Sequence, residues 1–371
     1  MPVEHIDIEK FLELSAEFPV LDVRSPGEYL HAHIPGAFTL PLFTDEQRKI
    51  IGTAYKKESR QIAVNIGLNY FSKRMKIIPG EAINILNKWT GKNKNPGLFS
   101  APSMGDRGPD FLIHCWRGGM RSGAVAWLLN LYGYKIYVLK GGYKSFRNWG
   151  ISQFEKKYSF KILGGFTGSG KTDVLKEMRR NGKAVIDLEC LANHKGSAFG
   201  GLGEKPQPGQ EMFENLLAVD LWKNSNKNAH TNGNGQTKMN EPAIWLEDES
   251  RNIGIVNIPK VLWEQMRNSP LYFLDIPLEE RLDYIVSAYG NFEKEDLVVS
   301  IMQLQKRLGG LDTKNAIHFL LENKPRECFS ILMEYYDKVY SKALHNRENI
   351  QLLLNKISCN SVDIKNAGVL F

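Results

Sequence analysis

Short, almost wholly apolar runs alternate along this chain with longer stretches in which apolar residues recur every three or four positions. That is the pattern of buried strands between amphipathic helices. Residues 18–23 (FPVLDV) read as a strand, Arg24-Ser25-Pro26-Gly27 as a turn, and residues 28–43 as the segment that follows. Phe111-Leu112-Ile113 reads as a further strand, residues 124–131 as a helix, and the polar residues 114–122 between them as a loop. The alternation continues to about Tyr143 and predicts a parallel α/β sheet. Residues 92–110, rich in Gly, Pro, Asn and Ser, read as a surface loop.

A second unit starts at Phe160, with a strand over residues 161–165, a glycine-rich loop over 165–172 and a helix over 173–180, which puts the boundary near residues 150–158. From Glu293 the pattern changes to amphipathic helices, such as LVVSIMQLQKRLGG and ECFSILMEYYDKVYSKAL. Three segments are therefore expected: residues 1–155, residues 156–292, and a helical region over 293–371 packed with the second. Residues 223–240 (KNSNKNAHTNGNGQTKMN) read as a disordered polar loop, better taken as a tolerated insertion than as an RNA contact. Tyr335, Tyr336 and Tyr340 could stack on bases, but their helical spacing favours core packing for at least two of them.

Composition bounds the picture without deciding it. Hydrophobic residues at 42% and charged residues at 24% are those of a globular protein with a sizeable core. A formal net charge of +7 leans towards a polyanionic partner. Cys115, Cys190, Cys328 and Cys359 form no C-x-x-C pair, so neither a disulfide framework nor a zinc site is indicated, and a reducing cytoplasm is the expected location. The first residues lack the basic-then-apolar pattern of a secretory signal, and no apolar run approaches the ~20 residues of a membrane span, so no membrane partner is expected.

Two loops carry candidate chemistry. In HCWRGGMRS, the N–H groups of the Gly118-Gly119 turn and the positive end of the following helix can surround an oxyanion, with Arg117 and Arg121 as forked donors. The same field favours the thiolate of Cys115, the attacking form. GFTGSGKT fits G-x-x-x-x-G-K-[ST] throughout: Gly165, Gly168 and Gly170 let backbone N–H groups face phosphates, Lys171 reaches the terminal ones, and the Thr172 hydroxyl can hold Mg²⁺. Two acidic strand ends compete to support that loop: Asp187 with Glu189, and Glu247, Asp248 and Glu249, the latter crowded enough to need a cation such as Arg251. Asp187 and Asp248 are the representatives put forward for metal or phosphate support. Glycine-rich residues 194–215, with Lys195 and Ser197, could cover a phosphate ligand or form a plain loop.

LDVRSPGEYLHAHIPGA (residues 21–37) together with the cysteine loop resembles the rhodanese domain, whose cysteine carries sulfur as a persulfide. Joined to GGFTGSGKT, HKGSAFGGLGEKPQPGQEMFEN, IWLEDESRNIGIVNIP and LGG…YYDKVY, the order of motifs resembles the tRNA 2-selenouridine synthase family over essentially the whole chain. Lys195 departs from it, standing where an arginine is expected. The resemblance implies a rhodanese-like parallel-sheet domain, then a P-loop NTPase-like α/β domain with a helical C-terminal appendage. It implies a transferase acting on tRNA with 2-thiouridine at the wobble position: S-geranylation by geranyl diphosphate, then replacement of the geranylthio group by selenium from selenophosphate. Cys115 would be the selenium carrier, and the phosphate loop would hold a prenyl or nucleotide diphosphate. Both donors would be co-substrates; no tightly bound cofactor is expected and Mg²⁺ is allowed.

Two other activities fit the same residues. H-C-x₅-R-[ST] also describes a cysteine-dependent phosphatase, although no aspartate declares itself as general acid. The phosphate loop also suits a kinase or NTPase carrying an inert rhodanese-like module.

Overall fold

The computed structural model describes residues 3–92, 110–226 and 243–370. Most of the two expected loops, residues 93–109 and 227–240, falls outside them. The chain divides into two compact units, Met1–Ser152 and Gln153–Phe371.

The first unit is a five-stranded sheet of β1 (Glu4–Ile6), β2 (Val20–Asp22), β3 (Phe38–Thr39), β4 (Asp110–His114) and β5 (Lys135–Leu139), in the order β1-β5-β4-β2-β3. Every pairing is parallel. β4 is buried along its whole length, which explains its unbroken apolar run: a central parallel strand is covered on both faces. Its helices are α1 (Ile8–Leu14), α2 (Pro26–His31), α3 (Asp45–Lys57), α4 (Arg60–Arg74), α5 (Ile78–Lys92), α6 (Met120–Leu131) and α7 (Gly142–Glu155). Three consecutive helices, α3 to α5, separate β3 from β4, so the strict alternation is interrupted there. α2 and α3 begin in capping boxes, Ser25 with Glu28 and Thr44 with Gln47. α6 starts at Met120 rather than Ala124, so Arg121 and Ser122 belong to its first turn and not to the loop.

The second unit is a parallel sheet ordered β11-β10-β6-β7. Its strands are β6 (Phe160–Gly165), β7 (Ile244–Glu247), β10 (Leu271–Asp275) and β11 (Leu354–Ser358); β8 (Asn252–Ile253) and β9 (Val256–Asn257) make a small antiparallel ribbon. The helices are α8 (Lys171–Arg180), α9 (Leu188–Ala192), α10 (Gln210–Asn226), α11 (Lys260–Arg267), α12 (Leu278–Tyr289), α13 (Lys294–Leu308), α14 (Gly310–Leu321), α15 (Pro325–His345) and α16 (Ile350–Leu353).

Two expectations are corrected. The polar tract does not begin as a loop at Lys223, because α10 runs on to Asn226. Nor is the C-terminal region wholly helical: β11 returns to pair with β10, Leu354 opposite Leu271. β11 is an edge strand of half-exposed LNKIS, so it lacks the apolar run that marks a buried strand. α12 to α15 share a core built around Leu282, Leu304, Phe329 and Leu332.

Candidate active site

Cys115 stands one residue past β4, where the carboxyl end of a central parallel strand meets a helix N-terminus. Gly118 is left-handed (φ 63°), and a Cβ there would lie 2.5 Å from the carbonyl oxygen of Leu139, so only glycine allows this curl. The start of α7 fastens the loop from outside: Tyr143 N–H donates to the Cys115 carbonyl (2.8 Å) and Lys144 N–H to that of Trp116 (3.0 Å).

The sulfur is held by Ser122, whose Oγ lies 3.3 Å from Sγ. Burial pushes the Cys115 thiol up, but the Ser122 hydroxyl and amide, the Arg121 charge and the Arg117 amide outweigh it, leaving the thiol below its ordinary range. The result is a thiol whose ionised form is favoured relative to a free cysteine, at the base of a glycine-turned loop.

Arg121 does not stand free as a clamp. Its Nη1 and Nη2 donate to Glu28 at 2.6 and 3.4 Å, and Arg48 meets the same carboxylate at 3.2 Å. Burial works to raise the Glu28 carboxyl, yet the Arg121 hydrogen bond and charge, the Ser25 amide and Arg48 hold it at about 2. Of the two expected forks, Arg121 is therefore held as a fixed charge by Glu28, while Arg117 is exposed.

Below the loop lies a buried set that sequence reading passed over as a turn. Arg24 bonds Asp22 (2.6 Å) and the Ala32 carbonyl (2.7 Å), and its guanidinium sits 3.9 Å from the Tyr143 ring centre. His114 Nε2 lies 3.7 Å from Asp22, but burial drives the imidazole down to about 4 despite that carboxylate, so it stays neutral and positions rather than titrates. The only local signal was a charge on either side of Val23 at the end of a buried strand.

In the second unit the β6–α8 loop has the expected phosphate-cradling form. Gly168 is left-handed (φ 81°), and a Cβ there would meet the Arg281 carbonyl oxygen at 2.8 Å. Arg281 braces the loop, donating to the Thr167 carbonyl (2.9 Å) and pairing with Asp337 (2.7 Å). Lys171 Nζ folds onto the Gly165 carbonyl (2.8 Å), which places its ammonium inside the curl.

The carboxylates facing this loop are not those expected. Asp187 caps α9 through the Cys190 amide (2.8 Å), and Asp248 is held by Arg347 (2.5 Å) and the Tyr340 hydroxyl (2.6 Å). Glu189 instead accepts from the Thr172 hydroxyl (3.1 Å), and Glu247 accepts from the Glu189 amide (3.2 Å). Glu249 lies beside Gly196, where a Cβ would meet Glu249 Oε2 at 2.7 Å, so the start of the glycine-rich segment approaches this acid. Burial and the charges of neighbouring carboxylates, Asp187 and Asp248 among them, lift all three: Glu249 to about 8, Glu247 well above the ordinary range, and Glu189 upward against the pull of Lys171. Arg251, the expected counter-ion, turns to the Ile258 carbonyl. Lys195 pairs with Glu204 (3.1 Å). Tyr340 packs on Phe166 and Phe273, Tyr336 bonds the Ala198 amide, and Tyr335 packs against Tyr336, so all three tyrosines serve packing. Among the described residues, no three His, Cys, Asp or Glu side chains converge as a metal-binding group, and no helix is long and apolar enough to cross a membrane.

Fold and sites together define a class: a cysteine-loop carrier domain of rhodanese type followed by a P-loop α/β domain. Residues 7–148 match the rhodanese-like domain, and residues 158–359 match the tRNA 2-selenouridine synthase AAA domain. The chain is similar to a tRNA 2-selenouridine synthase of Sulfurovum sp. (strain NBC37-1), 34% identical over 87% of each chain. Another, from Pseudomonas putida (strain W619), is 30% identical over 88% of each, and one from Nitrosomonas europaea is 35% identical over 74% of this chain and 64% of its own. The chain belongs to the tRNA 2-selenouridine synthase family.

Proposed function

We propose that this chain is a transferase that converts wobble 2-thiouridine in tRNA to 2-selenouridine, in a reducing cytoplasm where its four thiols stay free. First the C2 sulfur attacks the prenyl C1 of geranyl diphosphate; an S–C bond forms, the C–O bond breaks, and diphosphate leaves with the electron pair. Then a C2–Se bond forms, the C2–S bond breaks, and sulfur departs as geranylthiol. Alkylation matters because it turns a poor leaving group into a thiol. Selenophosphate supplies selenium at the selenide level and its phosphorus ends as phosphate, so the exchange is redox-neutral overall. In that exchange the Se–P bond of selenophosphate breaks, its phosphoryl group passes to water as phosphate, and the selenide released beside Cys115 attacks C2, so no oxidant is needed.

The single observation that carries this reading is a cysteine sulfur held 3.3 Å from Ser122 Oγ where a buried strand meets a helix N-terminus, on a chain with a complete second glycine-rich loop opening α8. In the second unit Lys171 and the loop amides bind a diphosphate. Thr172 Oγ1 and Glu189 Oε2, 3.1 Å apart, are the oxygens that would hold Mg²⁺ beside it. Such an ion would neutralise charge on the departing diphosphate.

Nucleoside mass spectrometry on 2-thiouridine tRNA, with each donor omitted in turn, tests the reading. Both donors together should yield 2-selenouridine, and geranyl diphosphate alone the S-geranyl nucleoside. Cys115→Ser should lose selenation at least a hundredfold and retain geranylation, while Lys171→Ala should slow geranylation about as strongly. Unchanged 2-thiouridine with folded protein and both donors would overturn it.

A further inference from the structure

Beside the cysteine loop the first unit contains a cavity of about 610 Å³, within the range of about 300–1,000 Å³ typical of small-molecule sites. Its walls are mostly apolar: Leu42 and Phe43 from the segment after β3, Ile51 from α3, Leu68 and Phe71 from α4, and Met120 from α6. Five cations, Arg48, Lys49, Lys56, Lys57 and Arg121, also line it, with no acid among the lining residues.

Two observations tie this cavity to the sulfur. Met120, Arg121 and Ala124, which line the cavity, lie at the start of the helix that opens directly after the cysteine loop, and Cys115 shares one packed cluster with Leu42 and Phe71. Glu28 bridges Arg121 at the start of α6 to Arg48 on α3, which locks the cavity's mouth to the cysteine loop. An apolar chamber beside the cysteine loop, rimmed by Lys49, Lys56 and Lys57 and by Arg48 and Arg121 tied to Glu28, suits a ligand with a hydrocarbon tail attached to a polyanion.

We propose that this cavity seats the ten-carbon prenyl chain of the S-geranylated wobble nucleoside while selenium replaces its sulfur, with the lysines of its rim meeting the RNA backbone. The assignment rests on the two-stage reading above. In it α3 and α4 position the leaving group, so that the C2 atom bearing it lies over Cys115 when the C2–S bond breaks. It also accounts for selectivity, since unalkylated 2-thiouridine has no tail to fill the chamber.

Gly52 lines the cavity on α3, and a Cβ added there meets nothing within 4 Å, so Gly52→Phe fills the chamber without a backbone clash and improves helix propensity. Leu68, 56% exposed, allows a second variant, Leu68→Gln, that makes the wall polar without adding charge. Binding of anticodon stem-loops carrying 2-thiouridine or its S-geranyl form is measured by fluorescence anisotropy, alongside the two-donor assay. Wild type should favour the geranylated RNA about tenfold or more, from burial of its methylene and methyl groups. In both variants the preference should fall towards one while 2-thiouridine RNA binds as before, and the geranylated nucleoside should accumulate. An undiminished preference in both variants overturns the proposal. So does slowed use of geranyl diphosphate with geranylated-RNA binding intact, which would give the cavity to the donor. If wild type never forms the geranylated nucleoside, the two-stage reading itself falls; if it forms and consumes it with both variants unaffected, only this assignment does.

Discussion

Ser122 and Glu28 act on one atom, the sulfur of Cys115, by different routes. Ser122 touches it directly; Glu28 fixes the guanidinium of Arg121, whose charge lowers the thiol. Ser122→Ala removes a hydrogen bond to the thiolate, so the pH profile of alkylation at Cys115 should move to higher pH and the rate at pH 7 should fall several-fold. An unmoved profile would mean that the amides and Arg121 suffice. Glu28, held at about 2 against an ordinary 4.5, has a depressed value in the folded state. It therefore stabilises the fold above about pH 4.5, and that contribution is lost as pH falls towards 2. Glu28→Gln should cost roughly 2 kcal/mol at pH 7 and flatten the acid limb of the stability curve, as read by urea unfolding. At this scale Cys115, Gly118 and Lys171 were legible in the sequence because short motifs fix them. Asp22, Arg24 and Ser122 were not, because their partners come from other elements.

Both loops repeat one arrangement, the carboxyl end of a buried parallel strand feeding a helix N-terminus, where backbone N–H groups converge and no side chain need supply the field. What distinguishes the second is its floor of three carboxyls, gathered from α9 and the end of β7. Glu247 is buried with no partner for Oε2 among the described residues, and its raised value means that the folded state holds a proton the unfolded chain gives up. Stability should fall as pH rises from about 5, and Glu247→Gln, neutral throughout, should raise the melting temperature at pH 8.5 by a few degrees while changing it little at pH 5. Equal effects at both pH values would remove the proton from the account. The loop, β6 and α8 were legible here, since a strand, a glycine pattern and a helix follow in order. Asp187 and Asp248 are not the acids that meet Thr172, for a reason of geometry: one side chain caps its own helix, and the other pairs with Arg347 and Tyr340, almost a hundred residues on.

Over the whole molecule, the +7 charge and the basic rim of the cavity make RNA binding a question of salt. Affinity for tRNA should fall linearly on a log–log plot, and replacing Lys49, Lys56 and Lys57 together by alanine should reduce the slope by about two, at about 0.7–0.9 per lost phosphate contact. An unchanged slope would place the RNA elsewhere. The sequence by itself determined the class of each unit and the place of both glycine loops and of the cysteine that heads the first, because periodicity, glycine placement and motif spacing are local properties of the chain. Tertiary structure alone decided that Arg121 is tied to Glu28, that Glu189 rather than Asp187 meets Thr172, that β11 completes the second sheet, and that α3 and α4 enclose a chamber beside Cys115. Each of these depends on which distant side chains and strand edges arrive at the same point, and charge pairing, burial and packing are set there, not along the chain.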